Sequence, residues 1–381
     1  MAGTALRIAG EVMSRSHEAL VIGGGPAGAA VGILLARRGR GVTLIEKSAG
    51  MHDKVCGEFL SGEAVQYLAQ LGVDLPSLGA APIYGVRLAR QRCIAECELP
   101  FAAMSLTRRT LDERLLELAS REGVDVRRGV RIEALQRAPV GWNARAANDD
   151  IMHARSVFLA TGKHDLSGWR RPKGTQNDLI AFKMYFALAR SQQQALRGWI
   201  ELCLFPGGYA GLQLTEDGNA NLCLLVNRKT LQACHNEWQT LLAQILNFSE
   251  HLATRLQDSQ PLLDKPLALS SIPYGMLLHD AEPDLWRLGD QTAVIPSFSG
   301  DGMSIALHSA EVAAKLYLNQ ENPSLLASTL NRELRSSVSL ATVISQLMIA
   351  APALAHLLRA WPQLLRILGN QTRISQTALL S

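Results

Sequence analysis

The sequence predicts a mixed fold, α/β (α+β), in which a Rossmann-like domain is interrupted by an antiparallel one and followed by helices. Three observations carry this prediction. Near the start, the apolar run Ala19-Leu20-Val21-Ile22 leads straight into Gly23-Gly24-Gly25-Pro26-Ala27-Gly28 and a small-residue helix over 29–35. Between about 178 and 227 the texture changes to short apolar strands and hairpin turns. From Leu285 the first texture returns, as a strand ending in Gly289-Asp290 and a glycine-rich loop that opens a helix. Strand–helix units broken by a block of antiparallel strands point to one domain inserted into another.

The elements follow in order. Residues 1–16 read as a flexible extension with no apolar stretch long enough for a signal peptide. The opening unit ends in a second strand, Val42-Thr43-Leu44-Ile45, closed by the acid Glu46. This order binds a dinucleotide. Gly23 permits the tight turn, Gly25 lets a pyrophosphate approach the backbone, and Gly28 lets helix and strand pack closely. The N–H groups at the helix start, around Pro26 and Ala27, face the phosphates. Glu46, with Lys47 beside it, stands where an adenosine ribose would donate hydrogen bonds.

A helix through 64–68 stops at Leu71-Gly72, and 83–101 alternate weakly, as a hairpin of a second layer would. Ser105 or Thr107 caps a helix whose apolar face is Leu111, Leu115, Leu116 and Leu118. Short strands are expected at 124–126 and 130–132, and a buried one at 156–162. Strands over 180–188, 199–205, 209–215 and 219–226 follow, with a turn at Glu216-Asp217-Gly218-Asn219. A helix then presents Trp238, Leu241, Leu242, Ile245 and Leu246 on one face. The expected division is 17–82, 102–168 and 285–322 for the first domain, 83–101 and 169–284 for a substrate domain, and 323–381 for a leucine-rich helical segment.

Composition narrows the function. With 381 residues, 48% of them apolar, the chain can bury a large core. The net charge of +4 is spread over isolated pairs such as Arg37-Arg38 and Arg170-Arg171, with no basic run interleaved with aromatics. That argues against nucleic acid as a partner; a mildly basic face suits an anionic cofactor or carrier. The six cysteines have neither Cys-x-x-Cys spacing nor a matching histidine pattern, so no metal site is expected and reduced thiols suit a cytoplasmic protein. No run reaches about 18 uninterrupted apolar residues, the length a membrane span needs. The C-terminal leucines, with Arg359, Arg366 and Arg373, suit packing over an apolar site; a membrane surface or a carrier protein are the other readings.

The order of motifs resembles FAD-dependent oxidoreductases of the para-hydroxybenzoate hydroxylase fold, and within them the geranylgeranyl reductase and flavin halogenase-like branch. Four sites carry the resemblance over roughly 17–320: Gly23 to Gly28 with Glu46; Lys54-Val55-Cys56-Gly57 with Leu60-Ser61; Arg108 with Leu111-Asp112 and Leu115; and Gly289-Asp290 followed by Pro296, Gly300, Gly302 and Met303. It implies a glutathione reductase-type fold, FAD as cofactor and NAD(P)H as electron donor. Asp290 would bond the ribityl or pyrophosphate part of FAD, and Arg108, with Arg109 competing for the role, would contact the cofactor. Gly57 and Gly162 would lie against it. The loop Gly300-Asp301-Gly302-Met303 would offer N–H groups at a helix start to the flavin edge that becomes negative on reduction.

Cys56 is the resemblance's candidate for chemistry, as a proton donor after hydride transfer, as an adduct-forming thiol, or as a small residue packed on the flavin face. The chain also departs from the pattern. Lys163-His164 stand where many hydroxylases of this fold carry Asp-Gly; either they meet an anionic group, a phosphate or a substrate, or they are solvated loop residues. The halogenase Trp-x-Trp-x-Ile-Pro motif is absent. The reductases' aromatic strand is matched best by Phe205-Pro206-Gly207-Gly208-Tyr209-Ala210-Gly211-Leu212, expected to cross the substrate cavity, with Tyr209 as proton donor or wall and its glycines allowing close approach.

The expected function is therefore an FAD-dependent monooxygenase, hydroxylating an apolar, aromatic or lipid-related small molecule through a flavin hydroperoxide. A geranylgeranyl reductase-like C=C reductase and a non-catalytic electron-transfer flavoprotein are the alternatives. A carrier protein or a partner reductase would be the protein partners. A dehydrogenase using nicotinamide alone satisfies only the first motif, and Gly289-Asp290 speaks against it.

Overall fold

The computed structural model describes residues 17–350; the expected extension over 1–16 and the arginine-spaced leucines beyond Ala350 lie outside the described residues. Among the described residues the chain forms two large sheets. The first has seven strands. His17–Ile22 lies at its centre, flanked in parallel by Val42–Glu46 and Ile151–Leu159, with Asp125–Arg128 and Leu285–Arg287 continuing the parallel core outward. Ile132–Arg137 and Trp142–Ala146 add an antiparallel flank. The central strands are apolar on both faces because both are covered: Ala19, Leu20, Val21, Leu44, Val157 and Phe158 have no solvent exposure.

Helix Pro26–Ala36 returns along one face of this sheet and packs against Gly302–Leu318. Ala29, Ala30, Ala310 and Ala313 are all buried in the shared core, so small side chains let these helices approach closely. Arg108–Arg121 packs beside them; Thr107 caps it, accepting from the Thr110 N–H, which settles the choice between Ser105 and Thr107.

The second sheet has nine strands. Leu179–Ala187, Ala220–Asn227, Gly208–Leu214 and Trp199–Phe205 run antiparallel in that spatial order, and the hairpin Ala81–Arg90 with Cys93–Ser105 completes it. The expectation of a purely antiparallel sheet needs one correction. Trp199–Phe205 joins Ala81–Arg90 in parallel, because the chain reaches this sheet twice from different places in the sequence. The sheet also takes in Phe59–Leu60, from the segment assigned above to the first domain. Helix Pro323–Ala350 buries Leu326, Leu330, Leu334, Val338 and Ala341, a single stripe at helical spacing, and sets Met348 and Ile349 against the core around Tyr209 and Tyr274.

Candidate cofactor and active site

A cavity of about 690 Å³ opens where the two sheets meet, and the ends of the parallel strands converge on it. Its walls separate the glycines by role. At Gly23, φ is +110° and a Cβ would lie 2.4 Å from the Ala160 carbonyl oxygen; at Gly28 a Cβ would lie 1.9 Å from the Gly23 oxygen. These two serve the turn and the strand–helix packing. A Cβ on Gly57, Gly162 or Gly302 would meet nothing within 4 Å, and on Gly25 only the Arg108 guanidinium at 3.4 Å. All four line the cavity, so they leave room for a ligand to touch the backbone. The starts of helices Pro26–Ala36 and Gly302–Leu318 open onto the same space, with Pro26, Ala27 and Met303 in its wall. Two positive helix ends facing one cavity fit a diphosphate and a flavin edge that gains charge on reduction.

Glu46 is buried at the edge of this space. Its Oε2 accepts from the Gly24 N–H at 2.8 Å and its Oε1 from the Ser48 N–H at 2.9 Å. Burial alone would push the carboxyl up, but these bonds and the Lys54 charge outweigh it and hold the pKa below the usual range. Lys47 lines the cavity while remaining exposed. Arg108 forms a two-pronged pair with Asp112, at 2.8 and 2.9 Å, and Lys54 reaches the same carboxylate at 2.7 Å. Burial works to lower the Arg108 pKa, yet Asp112 and the Cys56 sulfur beside it hold it high. Arg109 is not in the cavity wall; it lies 3.6 Å from Asp217.

Cys56 lines the cavity, its sulfur accepting from the Glu58 N–H at 3.3 Å. The Asn221 amide holds this corner, donating to the Cys56 and Gly57 carbonyls at 3.1 and 3.0 Å and to Glu58 Oε2 at 3.1 Å. Behind the corner is a cluster the sequence reading missed. Glu58 and Lys183, both with fully buried side chains, pair at 2.5 Å. The Tyr185 hydroxyl donates to Glu58 at 2.8 Å, and the Arg108 N–H does so at the same distance. Burial still prevails over Lys183 and these donors and raises the Glu58 pKa. The available signal was Lys183 itself, a lysine set in the apolar strand Leu179–Ala187.

Asp290 follows the strand Leu285–Arg287 and faces the cavity with Lys163, whose ammonium lies 3.1 Å from Asp290 Oδ2. The Asp290 carboxylate raises the Lys163 pKa. His164, at the rim, is pushed down by partial burial and by Lys47 and Arg171.

Two expectations meet a different geometry. Tyr209 is 2% exposed and absent from the cavity wall; its hydroxyl accepts from the Phe298 N–H at 3.2 Å. Burial pushes its pKa up, so it is a packed core group. Tyr274 lines the cavity instead, bonded through its hydroxyl to Ser297 Oγ at 2.7 Å. The glycines around Tyr209 serve the protein's own packing: a Cβ on Gly207 would lie 2.0 Å from Thr230 Oγ1, and one on Gly208 2.1 Å from the Leu225 oxygen. Pro296 also lies behind the wall, at the N-terminal end of the turn Ser297–Ser299, while Gly300 reaches the cavity at φ +75°. Val55, Phe59, Ala181, Leu267, Leu269 and Ile272 form an apolar part of the wall. Among the described residues no cluster of His, Cys, Asp or Glu could hold a metal, and no helix is long and apolar enough to cross a membrane.

Residues 16–155 match the FAD binding domain family. Menaquinone reductase of Mycobacterium tuberculosis is 24% identical over 340 residues, covering 83% of this chain and 81% of that protein. Digeranylgeranylglycerophospholipid reductase of Thermoplasma volcanium is 24% identical over 327 residues, covering 79% of this chain and 78% of that protein. Among solved structures, the flavin-dependent brominase Bmp2 aligns with a TM-score of 0.77 at 17% identity, over 93% of both chains. The myxobacterial chondrochloren halogenase CndH aligns at 0.74 and 19% identity, over 94% of this chain and 91% of its own. The chain is thus an FAD-dependent oxidoreductase. Its fold is the one shared by flavin hydroxylases and halogenases.

Proposed function

We propose that this enzyme is a flavin-dependent reductase of an isolated C=C bond in an apolar, isoprenoid-like substrate, with NAD(P)H as the source of electrons. The observation that carries the reading is the placement of Cys56: a thiol beside Arg108, in the wall of a cavity that Val55, Ala181 and Ile272 also line. The two relatives aligned over about four-fifths of the chain support it, since one is named for reducing menaquinone and the other for reducing digeranylgeranylglycerophospholipid. Both compounds carry isoprenoid chains.

Gly25, Glu46, Arg108, Asp290 and the start of helix Gly302–Leu318 would hold FAD, whose form reduced by NAD(P)H would supply a hydride to one carbon of the double bond. Cys56 Sγ–H gives the proton to the other carbon, so two hydrogens are added and the thiolate remains. Arg108, fixed by Asp112, offsets that charge. The apolar wall orients the chain of the substrate and keeps water from the reacting carbons.

An anaerobic experiment tests this. Photoreduced enzyme mixed with a polyprenyl alcohol, whose only reducible groups are isolated C=C bonds, should be reoxidised without oxygen, giving a product two hydrogens heavier by mass spectrometry. Cys56→Ser should keep the flavin absorption and slow that reoxidation by about 100-fold. Reoxidation that requires oxygen and yields a hydroxylated product overturns the reading in favour of the monooxygenase.

A further inference from the structure

Lys163 and Asp290 lie on different loops, and a buried second layer ties those loops together. Arg171 donates to the Lys163 carbonyl at 2.8 Å, to the Asp290 carbonyl at 3.3 Å and to Asp165 Oδ1 at 2.6 Å. Gln291 donates to the Gly162 and His164 carbonyls at 2.8 and 3.2 Å. The Arg171 side chain is only 4% exposed and Gln291 not at all, whereas Lys163 and Asp290 keep 30% and 19% exposure toward the cavity. A partly buried ion pair like this one only roughly offsets the cost of taking its charges out of water. The clamp behind it therefore needs another explanation, and the charges around the cavity provide one.

A dinucleotide would bring a diphosphate carrying two negative charges to the start of helix Pro26–Ala36. Glu46 and Asp290 are two of the five carboxylates that line the cavity, with Asp53, Glu58 and Asp165. Glu46 is answered by the Gly24 and Ser48 N–H groups. Asp290 is answered by Lys163. We propose that Lys163 is an FAD-binding residue: it neutralises Asp290, so that this carboxylate can accept hydrogen bonds from the cofactor's hydroxyl groups without repelling its diphosphate. Arg171 and Gln291 are positioning residues that hold the pair facing the cavity before the cofactor arrives. This inference rests on FAD binding alone and is independent of the reaction proposed above.

The test is a titration of flavin-stripped protein with FAD, followed by flavin fluorescence, at low and high salt. Lys163→Met should raise the Kd at low salt at least fivefold, with the gap narrowing as salt screens the charges. Lys163→Arg should stay within twofold of the unaltered protein. In Lys163→Met, adding Asp290→Asn removes the uncompensated charge and should tighten binding again, by threefold or more. Lys163→Gln repeats the measurement should the methionine disturb the loop. A Kd less than fivefold raised at low salt, or a double variant that fails to tighten, overturns the proposal. Absence of FAD binding by the unaltered protein would instead remove the cofactor site itself.

Discussion

Glu58 and Lys183 show what a single residue pair does here. Both side chains are fully buried, one on the loop that carries Cys56 and one on the second sheet. Taking two charges out of water costs several kcal/mol per ion, which a close pair with further hydrogen bonds only roughly offsets. The pair is thus no great source of stability, but losing one partner is severe. Lys183→Met should cost about 3–5 kcal/mol in urea denaturation, because it strands the Glu58 carboxylate. The double variant Glu58→Gln with Lys183→Met should recover most of that loss; additive losses would contradict the pairing. At this scale the sequence was legible where a role is local. Glu46, Cys56, Arg108 and Asp290 each sit in a short motif, and all four line the cavity. The Glu58–Lys183 pair was not legible, because the sheets bring together residues far apart in the chain. Tyr209 misled for the converse reason: its motif is local, but Phe298 and the turn at Ser297 stand between it and the cavity.

Two helix starts define the site at the scale of elements, and their glycines are not equivalent. Gly28 is a packing residue, with its neighbour's carbonyl oxygen 1.9 Å from where a Cβ would sit. Gly302 faces open cavity at the first turn of its helix. Gly28→Ala should therefore fail to accumulate as folded protein or melt far below the unaltered chain. Gly302→Ala should melt normally, since alanine favours a helix, and bind FAD more weakly because its methyl group enters the cavity. Circular dichroism melting and flavin titration of both variants separate the two roles. These helix starts were readable from glycine and small-residue runs after apolar strands. The partner of each strand was less so: nothing in the residues of Trp199–Phe205 announces its parallel join to Ala81–Arg90, since pairing is decided by tertiary packing.

The whole molecule places a charged, backbone-rich half of the cavity in the parallel sheet and an apolar half against the second sheet. The strands Leu179–Ala187 and Leu267–Ser270 supply Ala181, Leu267 and Leu269 to that apolar side. A polar, anion-binding side beside an apolar one suits a dinucleotide and a hydrocarbon substrate held edge to edge. The change of texture in the sequence marked strands of the second sheet, but not that Phe59–Leu60 would join it.

The most direct test of the account is the visible spectrum of the purified, folded protein, with the chromophore released by heat and identified by chromatography. The account predicts a yellow protein that yields FAD, and an apoprotein that takes back one equivalent at about micromolar concentration. A folded protein that is colourless and leaves FAD fluorescence unchanged at tens of micromolar, roughly tenfold above that range, would contradict it.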